Sequence, residues 1–438
     1  TPLLSLIKCG KDTIGKSTMV ENSMNNQIGK QAGEIGEADI LVGIPSYNNA
    51  RTIGHVVRAV QAGLAKYFRN SKALLVNSDG GSTDGTTEIV HNTTVDDLGT
   101  IFVTQKTEPF FKIVTPYQGI PGKGSAFKAI FEIAGTVKAK ACAVVDSDLR
   151  SITPEWVELL IKPILEGGFD YVAPLYQRHK YDGTITNSIV YPLTSALYGK
   201  RIRQPIGGDF GFSGRLAGFY LAKDVWETDV ARYGIDIWMT TTAIANSFPV
   251  CQSYLGAKIH DAKDPGADLS AMLYQVVSAT FDLMETYSDA WKPVKSSEPV
   301  PTLGFRYDVG LEPVSVNLER MIDRFSLGIK ELGIFWKEFM TKELYSFFTK
   351  LTGNKKKTFR IPDEIWVETI YSFILAAHKR IMNREHLLKS LTPLYIGRTA
   401  SFVMETWDSD SGKVEEKVEN LRLMFEERKD FLIKRWDE

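Results

Sequence analysis

Apolar residues change their rhythm along this chain. Between residues 39 and 175, short apolar runs alternate with stretches whose apolar positions recur every three or four residues. The runs are Ile40 to Ile44, Ala73 to Val76, Ala141 to Val145 and Tyr171 to Leu175. Runs of this length bounded by turn residues predict buried, parallel-type strands. Ile53, Val56, Val57, Val60 and Leu64 share one helical face, as do Ala126, Ile130, Phe131, Ile133 and Ala134. Thr153 followed by Pro154 predicts a helix start, threonine as cap and proline at the first position. This alternation predicts a wound α/β domain with a mainly parallel sheet. From about residue 267 helical stripes take over. They run Leu269 to Leu283, Leu318 to Phe339, Ile365 to Ala377 and Val414 to Phe425, and predict a helical C-terminal region over 266–438. Lys292 to Gly304 holds three prolines and reads as a linker or crossing segment. Residues 93–118 are irregular.

Chemistry sits where the runs stop. Ala141 to Val145 ends at Asp146-Ser147-Asp148. Ligands of open α/β sheets bind beyond the carboxyl ends of the strands. Side chains two apart on an extended segment point the same way, and two converging carboxylates suit a hard divalent cation. The alternative is a strand end followed by a helix cap. Ile44 runs into Pro45-Ser46-Tyr47-Asn48-Asn49, and Val76 into Asn77 to Thr86, with Asp84 a plausible cap and Asp79 either a ligand of a base or ribose or a turn residue. Gly122-Lys123-Gly124 opens a helix, where backbone N–H groups and an ammonium suit a phosphate. Arg178, Arg201, Arg203 and Arg215 surround Asp182, Thr184 and Thr186 and suit either an anionic substrate or a solvated surface. Gln204 to Asp209, with Gly207 and Gly208, is a loop able to press backbone against a ligand. Asp236 reads as a helix cap or site residue, and His260 as a ligand at a domain edge or a surface residue.

Composition narrows the classes. The 438 residues allow two or three domains, and 43% hydrophobic with 24% charged residues is ordinary for a soluble globular protein. A net charge of −1 gives no reason to expect nucleic acid or an acidic membrane surface. No apolar run approaches the ~20 residues of a membrane span. Three scattered cysteines make no disulfide framework and fit a reducing, cytoplasmic setting. Gly10 to Ser17 satisfies the phosphate-loop pattern G-x-x-x-x-G-K-S, but the stretch to Glu37 has no apolar stripe. Residues 1–38 therefore read as a polar N-terminal extension, with a P-loop ATPase as the rival reading.

The first two-thirds resembles a GT-A nucleotide-sugar glycosyltransferase. Asn77 to Thr86 is similar to the "DDGSTDGT" loop of that fold, with Gly80 where many members carry the second Asp. Pro121-Gly122-Lys123-Gly124, Asp146-Ser147-Asp148, Thr153 to Trp156, Arg178 with Asp182 to Thr186, Gln204 to Asp209, Tyr233 to Asp236 and His260 occur in one order over 39–265. Together they resemble the mannosylglycerate and glucosyl-3-phosphoglycerate synthases, which are retaining enzymes. The resemblance implies a Rossmann-like GT-A domain over 39–265 and a helical C-terminal domain with a role in homo-oligomerisation. It implies a donor site at Pro45, Ser46, Asn48, Asp79, Gly122, Lys123, Asp146 and Ser147. Asp146, Asp148 and His260 would hold magnesium or manganese. Arg178, Asp182, Thr184, Thr186, Gly207, Gly208 and Asp236 would meet the acceptor, and Lys123, Asp236 and Asp209 would be catalytic. Asp209 stands where relatives often carry Glu. The donor would be UDP-glucose, GDP-glucose or GDP-mannose. The acceptor would be glycerate or 3-phosphoglycerate, with a lipid or polysaccharide acceptor as the same-class alternative.

Overall fold

The computed structural model describes residues 32–93, 111–116, 122–232, 234–259, 270–306, 310–311, 314–352 and 358–438. The phosphate-loop pattern at Gly10 to Ser17, Pro121, Tyr233 and His260 lie outside these residues.

The expected alternation is present. It runs β1 (Ile40–Ser46), α1 (Ile53–Tyr67), β2 (Ala73–Asp79), α2 (Thr86–Asn92), β3 (Phe111–Pro116), α3 (Lys123–Thr136), β4 (Ala141–Val144), α4 (Pro154–Leu165) and β5 (Tyr171–Gln177). A π-helix (Thr186–Val190) leads into α5 (Tyr191–Tyr198), followed by β6 (Lys200–Arg201), β7 (Phe210–Ser213), α6 (Gly214–Leu221), α7 (Ile235–Ala245) and β8 (Val250–Ala257). The main sheet has the order β10-β8-β5-β7-β4-β1-β2-β3, with β10 at Thr302–Leu303. Every pairing in it is parallel except those of β7 with β4 and β5. Strands β1 and β2 are buried along their whole length, which is why they read as unbroken apolar runs rather than alternating ones.

Three elements escaped the hydrophobic pattern. β3 (FKIVTP) mixes polar with apolar residues at the sheet edge, where one neighbour is enough. β7 is four residues long and carries Gly211, whose added Cβ would meet the carbonyl oxygen of Leu160 at 2.1 Å. The proline-rich segment 292–304 is more than a linker. It supplies β10 to the main sheet, and β9 (Glu298–Pro299), which pairs with β6. Two helix caps also differ from expectation. Thr153 precedes α4, but its side chain makes no capping bond. Asp236 lies within the first turn of α7, whose cap residue is Gly234, so its carboxylate is available for other work.

One face of the sheet packs on α1 and α4 through Val56, Val60, Trp156 and Leu160. The other face packs on α3, α6 and α7, and its core continues without a break into the C-terminal helices. These are α8 (Ser270–Thr286), α9 (Ser288–Trp291), α10 (Leu318–Trp336), α11 (Lys342–Leu351), α12 (Asp363–His378), α13 (Arg384–Thr406), α14 (Ser411–Glu427) and α15 (Lys429–Trp436). Phe131, Phe212, Trp238, Trp291, Phe325 and Trp366 belong to one cluster. Trp291, Trp336 and Trp366 are fully buried, and side chains of this size contribute roughly 2–3 kcal/mol each on burial.

Lys429 is buried at this junction. Its Nζ donates to the carbonyl oxygens of Trp291 (2.6 Å) and Val294 (2.8 Å). Burial pushes its pKa down from 10.5 to about 8. Between those values the unfolded chain binds the proton that the folded chain has released, so this group's contribution to stability rises with pH. The melting temperature of the wild type minus that of Lys429→Met is expected to increase from about pH 7 to about pH 9.5. A difference that stays flat in thermal unfolding across that range refutes the assignment.

Candidate active site

Three loops meet above the carboxyl ends of β1, β2 and β4. Their polar side chains are spent largely on one another. Asn48, at φ 53°, takes the backbone N–H of Thr83 on its Oδ1 (3.0 Å), and its own N–H donates to Ser82 Oγ (2.8 Å). Asp84 accepts from the N–H of Ala50 (3.0 Å) and of Thr86 (3.1 Å). Ser147 Oγ donates to Asn49 Oδ1 (2.8 Å), and Thr52 Oγ1 to the Ser147 carbonyl (2.7 Å). Asp79 is 3% exposed. Its carboxylate accepts from Ser46 Oγ (2.8 Å), Gly81 N–H (2.9 Å), Ser82 N–H (2.7 Å) and Ser82 Oγ (2.6 Å). Four donors occupy about all the acceptor sites a carboxylate has. Asp79 therefore organises the loop, and the turn reading describes its geometry. Tyr47, which the sequence reading passed over, is 61% exposed on this rim.

Beneath the rim lies a cluster of five charged side chains. Asp146 receives Lys123 Nζ on Oδ1 (2.7 Å) and Lys258 Nζ on Oδ2 (2.7 Å). Lys258 also donates to Asp209 Oδ2 (2.7 Å) and to the Gly207 carbonyl (2.7 Å). Lys123 reaches the Gly208 carbonyl (3.3 Å) and lies 3.3 Å from Asp236 Oδ1. Gly208, at φ 92°, has to be glycine, because a Cβ there would stand 2.2 Å from Asp146 Oδ2. The Gly207-Gly208 loop thus presses on the charged cluster itself. Gly122 and Gly124 make a similar close approach: added Cβ atoms would meet the backbone of 230–232, and the Gly124 N–H donates to the Arg232 carbonyl (3.1 Å).

Protonation follows from this geometry. Burial would raise the Asp146 carboxyl, but the ammoniums of Lys123 and Lys258 outweigh it and hold the group well below the carboxylate range. Burial would lower Lys123, but Asp146 and Asp236 keep its pKa above the usual lysine value. Lys258 behaves likewise between Asp146 and Asp209. Burial raises Asp236 even with Lys123 beside it. Tyr176 donates its hydroxyl to Asp209 Oδ2, and burial, reinforced by that carboxylate, pushes its pKa far up.

Asp209 is 0% exposed, and its other oxygen takes the N–H of Asp146 (2.7 Å). Both of its oxygens are thus occupied under the floor of the site. Lys258 and Tyr176 are the residues that sequence reasoning missed. Lys258 does leave a faint signal, since it is the first residue after strand β8 and so stands at a strand's carboxyl end.

The side that bears Arg178 is less uniform than its sequence. Arg178 lies 3.8 Å from Asp182 and over the Tyr176 ring (5.3 Å). Its Nε has no hydrogen-bond partner among the described residues. Thr186 opens the π-helix and lines an adjoining cleft. Thr184 turns away from that cleft, and its hydroxyl is bonded to Tyr395 (2.5 Å) on α13. Arg215 pairs with Asp170, Arg201 bonds Ser297, and Arg203 pairs with Glu415. The arginine-rich segment is therefore mostly structural.

The strand ending at Ala141–Val144, its carboxylate turn and the glycine loop above it all fall in one matched region. Residues 41–225 match the family model described as glycosyl transferase family 2. The matched stretch covers 185 of the 438 residues of this chain. The chain is a glycosyltransferase of the GT-A type. Among solved structures it is similar to glucosyl-3-phosphoglycerate synthase from Mycobacterium tuberculosis bound to phosphoglyceric acid, at 20% identity, covering 59% of this chain and 84% of that one, with a TM-score of 0.41. The same enzyme bound to Mn2+, UDP-glucose and phosphoglyceric acid gives 20% identity over 57% and 80%, with a TM-score of 0.42. Bound to Mg2+ and UDP, it gives 20% identity over 59% and 83%, with a TM-score of 0.42. No curated protein sequence matches the chain.

The glycosyltransferase's carboxylate turn departs from the simple pleat argument. β4 ends at Val144, and residues 147–148 form a turn, leaving Asp146 half-buried and Asp148 exposed. Among the described residues no three His, Cys, Asp or Glu side chains come together as a metal site. Asp148 on the turn, and Asp146 before it, whose oxygens each keep a second acceptor site beside Lys123 and Lys258, are hard oxygen donors, a chemistry that fits magnesium or manganese. No helix among the described residues is long and apolar enough to cross a membrane.

Lys258→Met leaves the Asp209 carboxylate buried without its ammonium and is expected to cost about 3–5 kcal/mol in denaturant unfolding. Adding Asp209→Asn should restore most of that stability while activity stays lost. If the single and double variants are equally unstable, the ion pair is not what fixes this floor.

Proposed function

We propose that this glycosyltransferase moves a hexose, with retention of configuration, from UDP-glucose, GDP-glucose or GDP-mannose to glycerate or 3-phosphoglycerate, using Mg2+ or Mn2+. The observation that carries the reading is the Lys123–Asp146–Lys258 cluster at the strand ends, with Arg178 and Thr186 beside it on a cleft.

Charge supports the need for a cation. Two ammoniums, Lys123 and Lys258, face three carboxylates, Asp146, Asp209 and Asp236, leaving a formal −1. A nucleoside diphosphate adds further negative charge, and a pocket of that sign repels it. Asp146 and Asp148 are assigned as the residues that hold the cation, with His260 as third ligand. The chain position before His260 lies against this turn, since the Ile259 carbonyl accepts from Arg150 N–H (2.9 Å) and the Ile259 N–H donates to Ser151 Oγ (2.9 Å). When bound, the cation offsets charge on the departing diphosphate.

The chain's own residues do the rest. Lys123 puts its ammonium where the leaving phosphate gathers charge, an interaction that strengthens in the transition state. Tyr47 offers an exposed ring on which the donor base stacks. Arg178 takes the acceptor carboxylate and Thr186 adds a hydroxyl. With Asp209 fully engaged, retention is assigned to same-face attack. The anomeric carbon's bond to the leaving phosphate oxygen breaks, its bond to the acceptor oxygen forms, and the acceptor proton goes to the departing phosphate.

A panel of UDP-glucose, GDP-glucose and GDP-mannose against glycerate and 3-phosphoglycerate, with magnesium or manganese, tests this. One donor–acceptor pair is expected to give an α-linked product in nuclear magnetic resonance, with turnover abolished by chelator. Lys123→Ala should lower kcat by roughly 10²–10³, and Asp148→Ala and His260→Ala should each remove metal-dependent turnover. An inverted product, or full activity in either metal-ligand variant, rejects the corresponding assignment.

A further inference from the structure

The cleft beside Arg178 is too large for the acceptors just named. It encloses about 800 Å³, within the roughly 300–1,000 Å³ of sites that bury a drug-sized molecule. A three-carbon acid fills on the order of 100 Å³ if each heavy atom takes less than the ~30 Å³ of a water. Such an acid would leave most of the space to solvent.

The lining says what else fits. Five formal cations, Arg178, Lys180, Arg201, Arg203 and Arg306, meet four carboxylates, Asp182, Asp410, Glu415 and Glu419. That near balance suits a single anionic group followed by neutral polar matter, and disfavours a polyanion. Beyond Arg178 the walls are planar groups already locked in place. Arg203 holds Glu415 through two bonds, Nε to Oε1 (2.7 Å) and Nη2 to Oε2 (3.0 Å), and its guanidinium lies over the Tyr191 ring at 5.0 Å. Tyr191 in turn donates its hydroxyl to Glu419. Glu415, half-exposed in its side chain, keeps acceptor sites beyond the two that Arg203 fills, and a fork held this rigidly matches the paired hydroxyls of a pyranose at small entropic cost. Tyr176 joins the two compartments, for its ring lines the cleft and carries the Lys258 ammonium at 5.2 Å.

We infer that the preferred acceptor is an acid that already bears a sugar, a hexosylglycerate. Its carboxylate sits at Arg178 and its hexose lies along Arg203 and Glu415, so the enzyme extends a short glycoside rather than starting one. The far wall comes from α14, which gives the C-terminal region a share in choosing the acceptor. The inference rests on the hexosyltransferase reading above. The transfer balances as before: the new bond joins the anomeric carbon to a free acceptor hydroxyl, and the hydroxyl proton leaves with the nucleoside diphosphate.

The test uses the full chain with magnesium and each donor. It compares kcat/KM for glycerate, 3-phosphoglycerate and 2-O-glucosylglycerate, with calorimetric binding of the same three acids in the presence of UDP or GDP. Glucosylglycerate is expected to exceed glycerate at least tenfold in kcat/KM and in affinity. Gly412→Trp, which fills the far end of the cleft, should remove that advantage and leave glycerate turnover within twofold. Equal or better use of glycerate or 3-phosphoglycerate overturns the inference while leaving the hexosyltransferase reading intact, as does an equal effect of Gly412→Trp on all acids. If no acid turns over, the hexosyltransferase reading falls, and the binding ratio alone decides whether the cleft selects the sugar-bearing acid.

Discussion

The site depends on one ammonium. Lys258 is 3% exposed in its side chain and touches two carboxylates and a carbonyl at 2.7 Å each. Without it, Asp146 and Asp209 would face each other below the sheet's rim with no intervening positive charge. The arrangement needs backbone to come close, so the loop above carries Gly207 and Gly208, and Gly208 adopts φ 92°. Tyr176 donates to the same Asp209 oxygen as the lysine, and the other oxygen takes the Asp146 N–H. A strand end, a glycine loop and a phenol from β5 are thus tied to one buried charge. Such a cluster is a poor source of net stability, since desolvation offsets the Coulombic gain. Its value is positional, for it fixes Asp146 and leaves Lys123 held at the mouth between Asp146 and Asp236.

Much of this could be read from the sequence, for identifiable reasons. β1, β2, β4 and β5 are buried by helices on both faces, so their residues form apolar runs that need no tertiary knowledge to find. Asp146, Lys123, Gly208 and Asp236 stand at ends of such elements, where polar residues are conspicuous. Lys258 was harder because β8 holds Gln252, Ser253 and Tyr254, which break the run. Tyr176 was invisible, since a tyrosine inside a strand looks like core until its hydroxyl is seen to meet a buried carboxylate. The arginines between 178 and 215 misled in the other direction. Their partners, Asp170, Ser297 and Glu415, lie tens to hundreds of residues away, and no local pattern shows that three of four guanidiniums are already engaged. Thr184 is a similar case: two positions from Thr186, it bonds Tyr395 instead of facing the cleft.

Local backbone geometry also shapes the wall of the cleft. A π-helix over Thr186–Val190 starts at the residue that lines the cleft and passes straight into α5. Such wide turns occur often at functional sites, because the extra residue rotates the side chains before it relative to those after. Here it allows Thr186 to face the cleft while Ser188 gives its carbonyl to Trp366 in the C-terminal region.

The edge strand β10 and the unbroken core have a consequence for how this molecule came to be and how it can be altered. The residues matched by the family model end at Asp224 and Val225, yet the sheet they build is completed by Thr302 and Leu303, and its inner face is roofed by helices encoded still later. The catalytic part is therefore not a cassette that recombination can lift out and graft elsewhere. Changes in the two halves are bound to one another, and the lineage of this protein has to be traced on the whole chain.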